Sequence, residues 1–150
     1  MNLPNLNLPL PALKLKLNEY NEPLVWDVVR KSYVKLTPEE WVRQHFLHFL
    51  LLNGYPSTLI QVENKLPQHK KYGRTDLLAY DRQARPFLLV ECKAPEQNIE
   101  QSSHFQQILA YNTRLGSPFL ALTNGMTHLY IQQEKGKLSL LNDLPSFPRG

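Results

Sequence analysis

Two short apolar segments separated by a polar turn constrain the fold of this chain more than any other feature. Residues 77–80 and 87–90 have the length and the composition of buried β-strands. Residues 81–86 between them are polar and end in proline, a composition that is typical of turns. The three segments together predict a β-hairpin, and we expect its centre near residues 83 and 84.

Charged side chains are expected to meet at the open end of this hairpin. With the turn in that place, Asp76 lies across from Glu91, and fourteen residues separate the two in the sequence. Since side chains alternate along a strand, Glu91 and Lys93 share one face, whereas Cys92 points to the other. The sequence therefore predicts two carboxylates and an ammonium group at the ends of paired strands.

Such a cluster suits metal-assisted hydrolysis. Carboxylate oxygens and water are the ligands that Mg²⁺ prefers, and a neighbouring lysine can orient a water molecule or stabilise charge on a phosphoryl oxygen. The same residues would also form an ordinary cross-strand salt-bridge cluster without any catalytic role. Glu91 favours function, because it follows four apolar residues, where an unpaired charge is costly to bury.

Length and composition predict one domain. The chain has 150 residues, of which 42% are hydrophobic and 20% are charged, as is usual for globular proteins. We expect an extended, poorly ordered and proline-containing arm over residues 1–12, the domain over 13–142, and an irregular tail over 143–150. The net charge of +4 is compatible with a polyanionic partner but does not require one.

Several classes of protein are not expected. The single cysteine, Cys92, excludes an internal disulfide and a cysteine-rich zinc site, and its surroundings indicate a small buried side chain. The N-terminal segment lacks the basic and apolar regions of a signal peptide or a membrane span, which together with the lone cysteine favours the cytoplasm. A phosphate-binding G-x-x-x-x-G-K-[ST] loop is missing, so a nucleotide-driven motor is not expected.

The rest of the chain predicts a mixed α/β fold. Strands are expected at 13–17, 24–26, 33–36, 59–63, 119–123, 127–133 and 137–141, and helices at 37–52 and 99–115. Thr37 is expected to cap the first helix, with Glu40 completing a capping box. The link from residue 90 through a helix to residue 119 is typical of a crossover between parallel strands. We therefore expect a central mixed β-sheet flanked by α-helices on both faces.

Five blocks of sequence, in the expected order, resemble the N-terminal nuclease domain of type I restriction enzyme R subunits in a small stand-alone form. The blocks are LTPEEWVRQ (36–44), GRTD (73–76), LVECKAP (89–95), FQQILAYN (105–112) and TNG (123–125). That domain is similar to the PD-(D/E)xK, or restriction endonuclease-like, superfamily. The resemblance covers roughly residues 26–130, and it implies a restriction endonuclease-like core with extra N-terminal and C-terminal strands.

The resemblance implies roles for the hairpin residues. Asp76 and Glu91 would bind Mg²⁺ together with the backbone carbonyl of Cys92, and Mn²⁺ is expected to substitute. Lys93 would be the catalytic lysine. The motif departs from the superfamily pattern in having Thr75 rather than proline before Asp76, a variation that is common in the superfamily.

Two residues of the second helix match a Q-x-x-x-Y motif that follows the core in several members of the superfamily. The resemblance implies that Gln107 contributes to catalysis and that Tyr111 contacts nucleic acid, near phosphate or the metal-bound water. Because they lie four residues apart, they share one side of the helix, and a polar flank of the helix is the alternative interpretation.

A basic segment precedes Asp76. Lys70, Lys71 and Arg74, with Lys65 before them, are expected to contact the DNA backbone, or else to form a solvated loop. Glu63 is a candidate for a supporting role.

The acids and histidines of the first helix have ordinary explanations. Glu39 is expected to be a solvated acid of the first turn, and the capping box accounts for Glu40 without a function. We expect His45 and His48 to pack on the flank of the helix rather than to bind metal.

The sequence thus predicts a Mg²⁺-dependent nuclease that hydrolyses phosphodiester bonds of DNA. A non-catalytic module with the same fold, binding nucleic acid or protein, is the alternative, and a nuclease that is inert without a partner is the third. Because R subunits carry a helicase motor and this chain has none, a separate helicase or specificity protein is an expected partner. No association with a membrane is expected, and cutting of both strands would require two sites, as in a homodimer.

Overall fold

A computed structural model of the protein describes residues 3–64 and 75–149, which form two β-sheets and two α-helices. The N-terminal sheet has three antiparallel strands in the order β1-β2-β3: β1 (Leu15–Leu17), β2 (Pro23–Asp27) and β3 (Ser32–Lys35). The central sheet has six strands in sequence order: β4 (Ile60–Asn64), β5 (Thr75–Tyr80), β6 (Pro86–Cys92), β7 (Phe119–Thr123), β8 (His128–Glu134) and β9 (Lys137–Leu141). The helices are α1 (Pro38–Leu52) and α2 (Ser102–Leu115).

The central sheet is mixed, as predicted. β6 and β7 run parallel, with α2 as the connection between them, whereas the other neighbouring pairs are antiparallel. The second helix begins at Ser102 rather than near residue 99, because the preceding residues form turns. In these turns Gln97 N donates to Ala94 O, and Glu100 N donates to the Asn98 side chain.

The two helices cover opposite faces of the central sheet, and the alternation of side chains along the strands explains why. In β6, Leu88 and Val90 belong to the hydrophobic core on the α1 side, where they are packed with Phe46 and Leu50. Leu89 belongs to the core on the α2 side. The predicted sheet with helices on both faces is confirmed.

The start of α1 is capped differently from the prediction. The Thr37 hydroxyl accepts a hydrogen bond from Glu40 N at 3.0 Å, so Thr37 is the N-cap. The Glu40 carboxylate, however, accepts hydrogen bonds from Arg30, Arg43 and Gln44. The capping-box interpretation of Glu40 is therefore wrong, because ion pairs in a buried setting hold this carboxylate.

The N-terminal arm is extended, and it contacts the rest of the protein. Asn7 N donates to Gly125 O at 2.8 Å, and Trp41 Nε1 donates to Pro4 O at 2.9 Å. Leu6 packs against the core on the α1 side. These long-range contacts join the arm, which was predicted from its prolines to be extended and poorly ordered, to the rest of the protein.

The described residues after β9, 142–149, form no helix or strand, but they also pack on the core. Tyr55 donates its hydroxyl proton to Pro145 O at 2.5 Å, and the ring of Phe147 lies 5.2 Å from the ring of Tyr55. Over the described residues, none of the helices has the length and apolar character needed to cross a membrane.

Candidate active site

The hairpin of β5 and β6 brings the predicted site residues together. Leu77 pairs with Val90, so the same register places Asp76 across from Glu91, as predicted. Just beyond β6, Lys93 N donates to Thr123 O at 2.8 Å, and the Lys93 ammonium lies 3.3 Å from Glu91 Oε1. The expected meeting of two carboxylates and an ammonium group is therefore present.

Asp76 is buried and is held from two directions. Its Oδ2 accepts a hydrogen bond from Cys92 N at 2.8 Å. Its Oδ1 accepts hydrogen bonds from Arg43 Nε at 3.0 Å and from Arg43 Nη2 at 2.5 Å. The paired strand and α1 together fix the position of this carboxylate.

Arg43 is a site residue that the sequence interpretation missed. The one signal in the sequence is its position three residues after Glu40, which places the two side chains on one side of the helix. Helical periodicity alone did not indicate that Arg43 is buried, with 5% of its surface exposed. Burial opposes its charge, but Asp76 and Glu40 raise the pKa of Arg43 above its ordinary value, so it stays cationic.

A chain of alternating charges leads from Asp76 to the N-terminal sheet. Arg43 Nη1 contacts Glu40 Oε1 at 2.6 Å, and Arg30 Nη2 contacts the same oxygen at 2.9 Å. Arg30 Nε in turn contacts Asp27 Oδ2 at 2.9 Å. Since each buried charge has an opposite neighbour, pairing offsets the cost of burial. The end of β2 is thereby linked to the candidate site.

The surroundings of Glu91 disfavour the ionisation of its carboxyl group. Burial, followed by the charge of Asp76, raises the pKa of Glu91 from its ordinary value near 4.5 to about 8, although Lys93 acts in the opposite direction. The raised pKa favours the protonated form of Glu91, so additional positive charge beside its carboxyl group would favour ionisation. A divalent cation would supply that charge.

The donor set fits a hard cation. Asp76 and Glu91 offer carboxylate oxygens, and Cys92 offers a backbone carbonyl at the end of the same strand, which with water is the ligand chemistry of Mg²⁺. No group of three or more His, Cys, Asp and Glu side chains in the described ranges 3–64 and 75–149 is placed to hold a metal. A metal here would accordingly depend on two carboxylates, the carbonyl and water.

Glu39, expected to be merely solvated, belongs to the surroundings of the site. Its side chain is 45% exposed and lies 3.3 Å from Arg43 Nη2. Burial and then Asp76 raise the pKa of Glu39, whereas Arg43 and Lys93 lower it. Glu39 thus joins the surroundings of the site through Arg43, and Glu40 supports Arg43 from the same helix.

The two residues of the Q-x-x-x-Y motif differ in their surroundings. Gln107 is exposed, and its Oε1 accepts a hydrogen bond from the Lys93 ammonium at 3.4 Å. Tyr111 is 5% exposed and packs in the α2-side core with Leu78 and Leu89. The structure therefore brings Gln107 to Lys93 and places Tyr111 in the α2-side core, and the contact of Tyr111 with nucleic acid stays a prediction.

The Cys92 side chain packs in the α1-side core, as predicted for a small buried residue. Burial and the charge of Asp76 raise the pKa of its thiol well above the ordinary value. Cys92 contributes to the site through its backbone, because its N–H donates a hydrogen bond to the Asp76 carboxylate.

Several other predictions concern the surroundings of the site. Lys65, Lys70, Lys71 and Arg74 lie outside the described residues, and so does the side chain of Glu63.

His45 packs edge-on against Trp41 with ring centroids 4.3 Å apart, and its Nδ1 lies 2.8 Å from Trp41 O. The packing predicted for His45 is confirmed.

The sequence matches the model of a known protein family. A family model described as type I restriction enzyme R protein N terminus matches residues 38–145. The matched range contains the hairpin site and both helices, and it leaves out β1, β2 and β3. None of the curated proteins matches the chain.

Proposed function

The chain belongs to the family of type I restriction enzyme R protein N termini, and from this we propose that it is a metal-dependent nuclease domain that hydrolyses phosphodiester bonds of DNA. The observation that supports the proposal most is the meeting of Asp76, Glu91 and Lys93 at the end of two paired strands, inside the matched range.

Asp76, Glu91 and the Cys92 carbonyl would hold Mg²⁺, and Mn²⁺ would substitute for it. Once bound, the metal would lower the pKa of a coordinated water and neutralise charge on the scissile phosphate. Arg43 keeps Asp76 in place for this role, since it fixes one carboxylate oxygen while Cys92 N fixes the other.

Lys93 would orient the attacking water and stabilise the charge of the pentacovalent transition state. Its ammonium lies between Glu91 Oε1 at 3.3 Å and Gln107 Oε1 at 3.4 Å, and its side chain is 15% exposed. These two neighbours limit the directions in which the ammonium points, so Gln107 would contribute by positioning Lys93 or a phosphate oxygen.

The proposal extends to partners. DNA would be the substrate, and a helicase or specificity protein would be a partner that supplies the motor or the sequence recognition. Cutting of both strands would bring two copies together as a homodimer.

The test is titration with Mg²⁺ and Mn²⁺ by calorimetry, with wild type beside Asp76→Asn and Glu91→Gln. Glu96→Gln is the matched control, because Glu96 is an exposed carboxylate that follows Glu91 by five positions. We expect binding in wild type and in the control, and loss of binding in both site variants. Lys93→Ala should then abolish cleavage of plasmid DNA while DNA binding persists.

The alternative is a non-catalytic module that binds nucleic acid or protein. The observation in its favour is that Arg43 places a positive charge directly against Asp76. Such a module needs no divalent cation and retains its function in Lys93→Ala. Failure of wild type to bind millimolar metal, with DNA present, would favour this alternative over the nuclease.

A further inference from the structure

The three-stranded sheet has one face on which basic and aromatic side chains are collected. Lys16 pairs with Leu24, Leu24 pairs with Lys35, and Trp26 pairs with Tyr33. Directly paired residues point to the same side of a sheet, and residues two apart on a strand share that side. The side so defined, here named the basic sheet face, consists of Lys16, Leu24, Trp26, Tyr33 and Lys35. Lys14 directly precedes β1 and is counted with this face, because its carbonyl oxygen accepts a hydrogen bond from Trp26 N at 2.9 Å.

This face is turned toward solvent. On the opposite face Val25 and Asp27 are fully buried, whereas Lys14, Lys16 and Lys35 are all exposed. The alternation of β2 thus separates a face that packs on the domain from a face that is available to a partner.

The aromatic rings support the lysines. The Lys16 ammonium lies 4.0 Å from the centroid of the Tyr33 ring, and Tyr33 packs edge-on against Trp26 with centroids 5.1 Å apart. A cation over an aromatic ring keeps its charge while its orientation is restricted. The lysine is therefore held in place and not merely solvated.

The positive charge of the face is only weakly compensated. Lys35 contacts Glu22 at 3.3 Å, but both side chains are exposed, and such pairs contribute little. Within residues 3–64 and 75–149, neither Lys14 nor Lys16 forms a salt bridge. The face consequently offers net positive charge to an anionic partner.

The face leads to the candidate active site. Lys35 lines an open cavity of about 500 Å³, and Glu39 and Arg43 line the same cavity. Arg43 contacts Asp76 directly. An extended ligand that lies along the sheet would accordingly pass from Lys35 to the surroundings of Asp76.

We propose that the basic sheet face binds the phosphate backbone of DNA and directs it toward the site of Asp76 and Glu91. Charge complementarity between the lysines and a polyanion carries this inference, and it rests on the proposed nuclease function for the nature of the ligand. The face lies at residues 14–35, outside the range 38–145 that the family model matches, so the family assignment does not account for it.

Fluorescence anisotropy of labelled duplex and single-stranded DNA, measured in EDTA, tests the proposal. The variant Lys14→Gln/Lys16→Gln/Lys35→Gln removes the three charges of the face. The control Arg114→Gln/Lys135→Gln/Lys137→Gln removes three exposed charges from α2 and from the β8–β9 hairpin. Without divalent metal no cleavage is required, so failure of the nuclease proposal would not alter this result.

We expect the face variant to weaken binding of at least one DNA form by about tenfold or more, and the control by less than about threefold. For duplex DNA the slope of log K against log salt should fall by about 2 to 3, since each lost phosphate contact contributes about 0.9. Equal weakening by the two variants would overturn the proposal. So would competition by polyglutamate that equals competition by DNA at the same charge, since that result indicates an acidic protein as the partner.

A fluorescence measurement reports on the face itself. The chain has two tryptophans, so Trp41→Phe leaves Trp26 as the single reporter. We expect DNA to change the fluorescence emission of Trp26 in this variant. In the converse variant, Trp26→Phe, the remaining emission comes from Trp41, and we expect DNA to leave it unchanged. Binding of DNA that leaves the Trp26 emission unaltered would place the ligand elsewhere and contradict the proposal.

Discussion

Arg43 donates two hydrogen bonds to a single oxygen of Asp76, at 3.0 and 2.5 Å, although the two residues lie 33 positions apart. Both side chains are about 5% exposed, so the pair is shielded from solvent. The pair joins the first helix to the open end of the β5–β6 hairpin. It therefore determines the orientation of the carboxylate on which the proposed metal site depends.

Replacement of Arg43 should reveal how much the fold depends on this pair. Arg43→Gln leaves Asp76 without its buried cation and Glu40 with Arg30 alone, and we expect the free energy of unfolding to fall by about 3–5 kcal/mol. Arg43→Lys keeps the charge but not the two-pronged geometry, so its loss should be smaller. Urea denaturation monitored by circular dichroism measures both.

The control for this series is Arg85→Gln. Arg85 contacts Asp81 at 3.1 Å, but its side chain is 72% exposed, so the expected loss is at most about 1 kcal/mol. A loss for Arg43→Gln that is no larger than for Arg85→Gln would show that the buried pair does not stabilise the fold.

Ionisation of Glu91 should make the metal-free protein less stable as pH rises. Its pKa is raised to about 8 in the folded protein, chiefly by burial, so the folded state binds this proton more tightly than the unfolded chain. The stabilisation is complete below the unfolded value near 4.5 and is lost as the pH approaches 8. Glu91→Gln carries no ionisable group and should escape this loss.

We expect Glu91→Gln to gain stability relative to wild type between about pH 5 and about pH 8, by a few kcal/mol, since one pKa unit corresponds to about 1.4 kcal/mol. Urea denaturation in EDTA at several pH values measures the difference. Glu96→Gln, a change at an exposed carboxylate, is the control. A difference in stability between Glu91→Gln and wild type that stays constant across the pH range would contradict the raised pKa.

Gln107 and its neighbour Gln106 offer a matched test of positioning at the site. Both side chains are exposed, but it is Gln107 that accepts a hydrogen bond from Lys93, at 3.4 Å. Under the proposed function we expect Gln107→Leu to lower the cleavage rate by about tenfold, a fraction of the barrier worth about 1.4 kcal/mol. Gln106→Leu should be close to wild type. Equal cleavage rates for the two variants would show that Gln107 does not contribute to the site.

A double-mutant cycle tests the contact between the N-terminal arm and the turn before β8. A Cβ on Gly125 would lie 2.8 Å from Leu6 Cδ2, and Gly125 has φ +86°. Gly125→Ala should therefore lose stability both through the backbone and through the clash with the arm, by about 2 kcal/mol in total. Leu6→Ala in the same chain should restore part of that loss.

Gly54→Ala is the matched control, because Gly54 has the same φ of +86° and a Cβ there would have nothing within 4 Å. Gly54→Ala should lose only the stability that the positive φ costs an alanine. Adding Leu6→Ala should not change the size of this loss. Thermal denaturation of the single and double variants measures the coupling. Additive losses for Gly125→Ala and Leu6→Ala would contradict the contact.

Local patterns in the sequence determined most of the elements of this fold. Short apolar runs and turn residues predict β5, β6 and β7 within a residue or two, because burial and alternation act between near neighbours. The same reasoning places Asp76 across from Glu91, since one turn sets the register of a hairpin. It also predicts that Cys92 points away from Glu91 into the core.

The tertiary structure alone decided which partners hold the charged groups. The pairing of Arg43 with Asp76 joins elements 33 positions apart, and no periodicity of α1 indicates it. Glu40 looks like a capping residue in the sequence because the local pattern is correct, but the buried arginines on either side attract its carboxylate more strongly. The order of the N-terminal arm likewise depends on the distant Gly125. Local sequence specifies strands, turns and caps, whereas the pairing of buried charges depends on which elements the whole fold brings into contact.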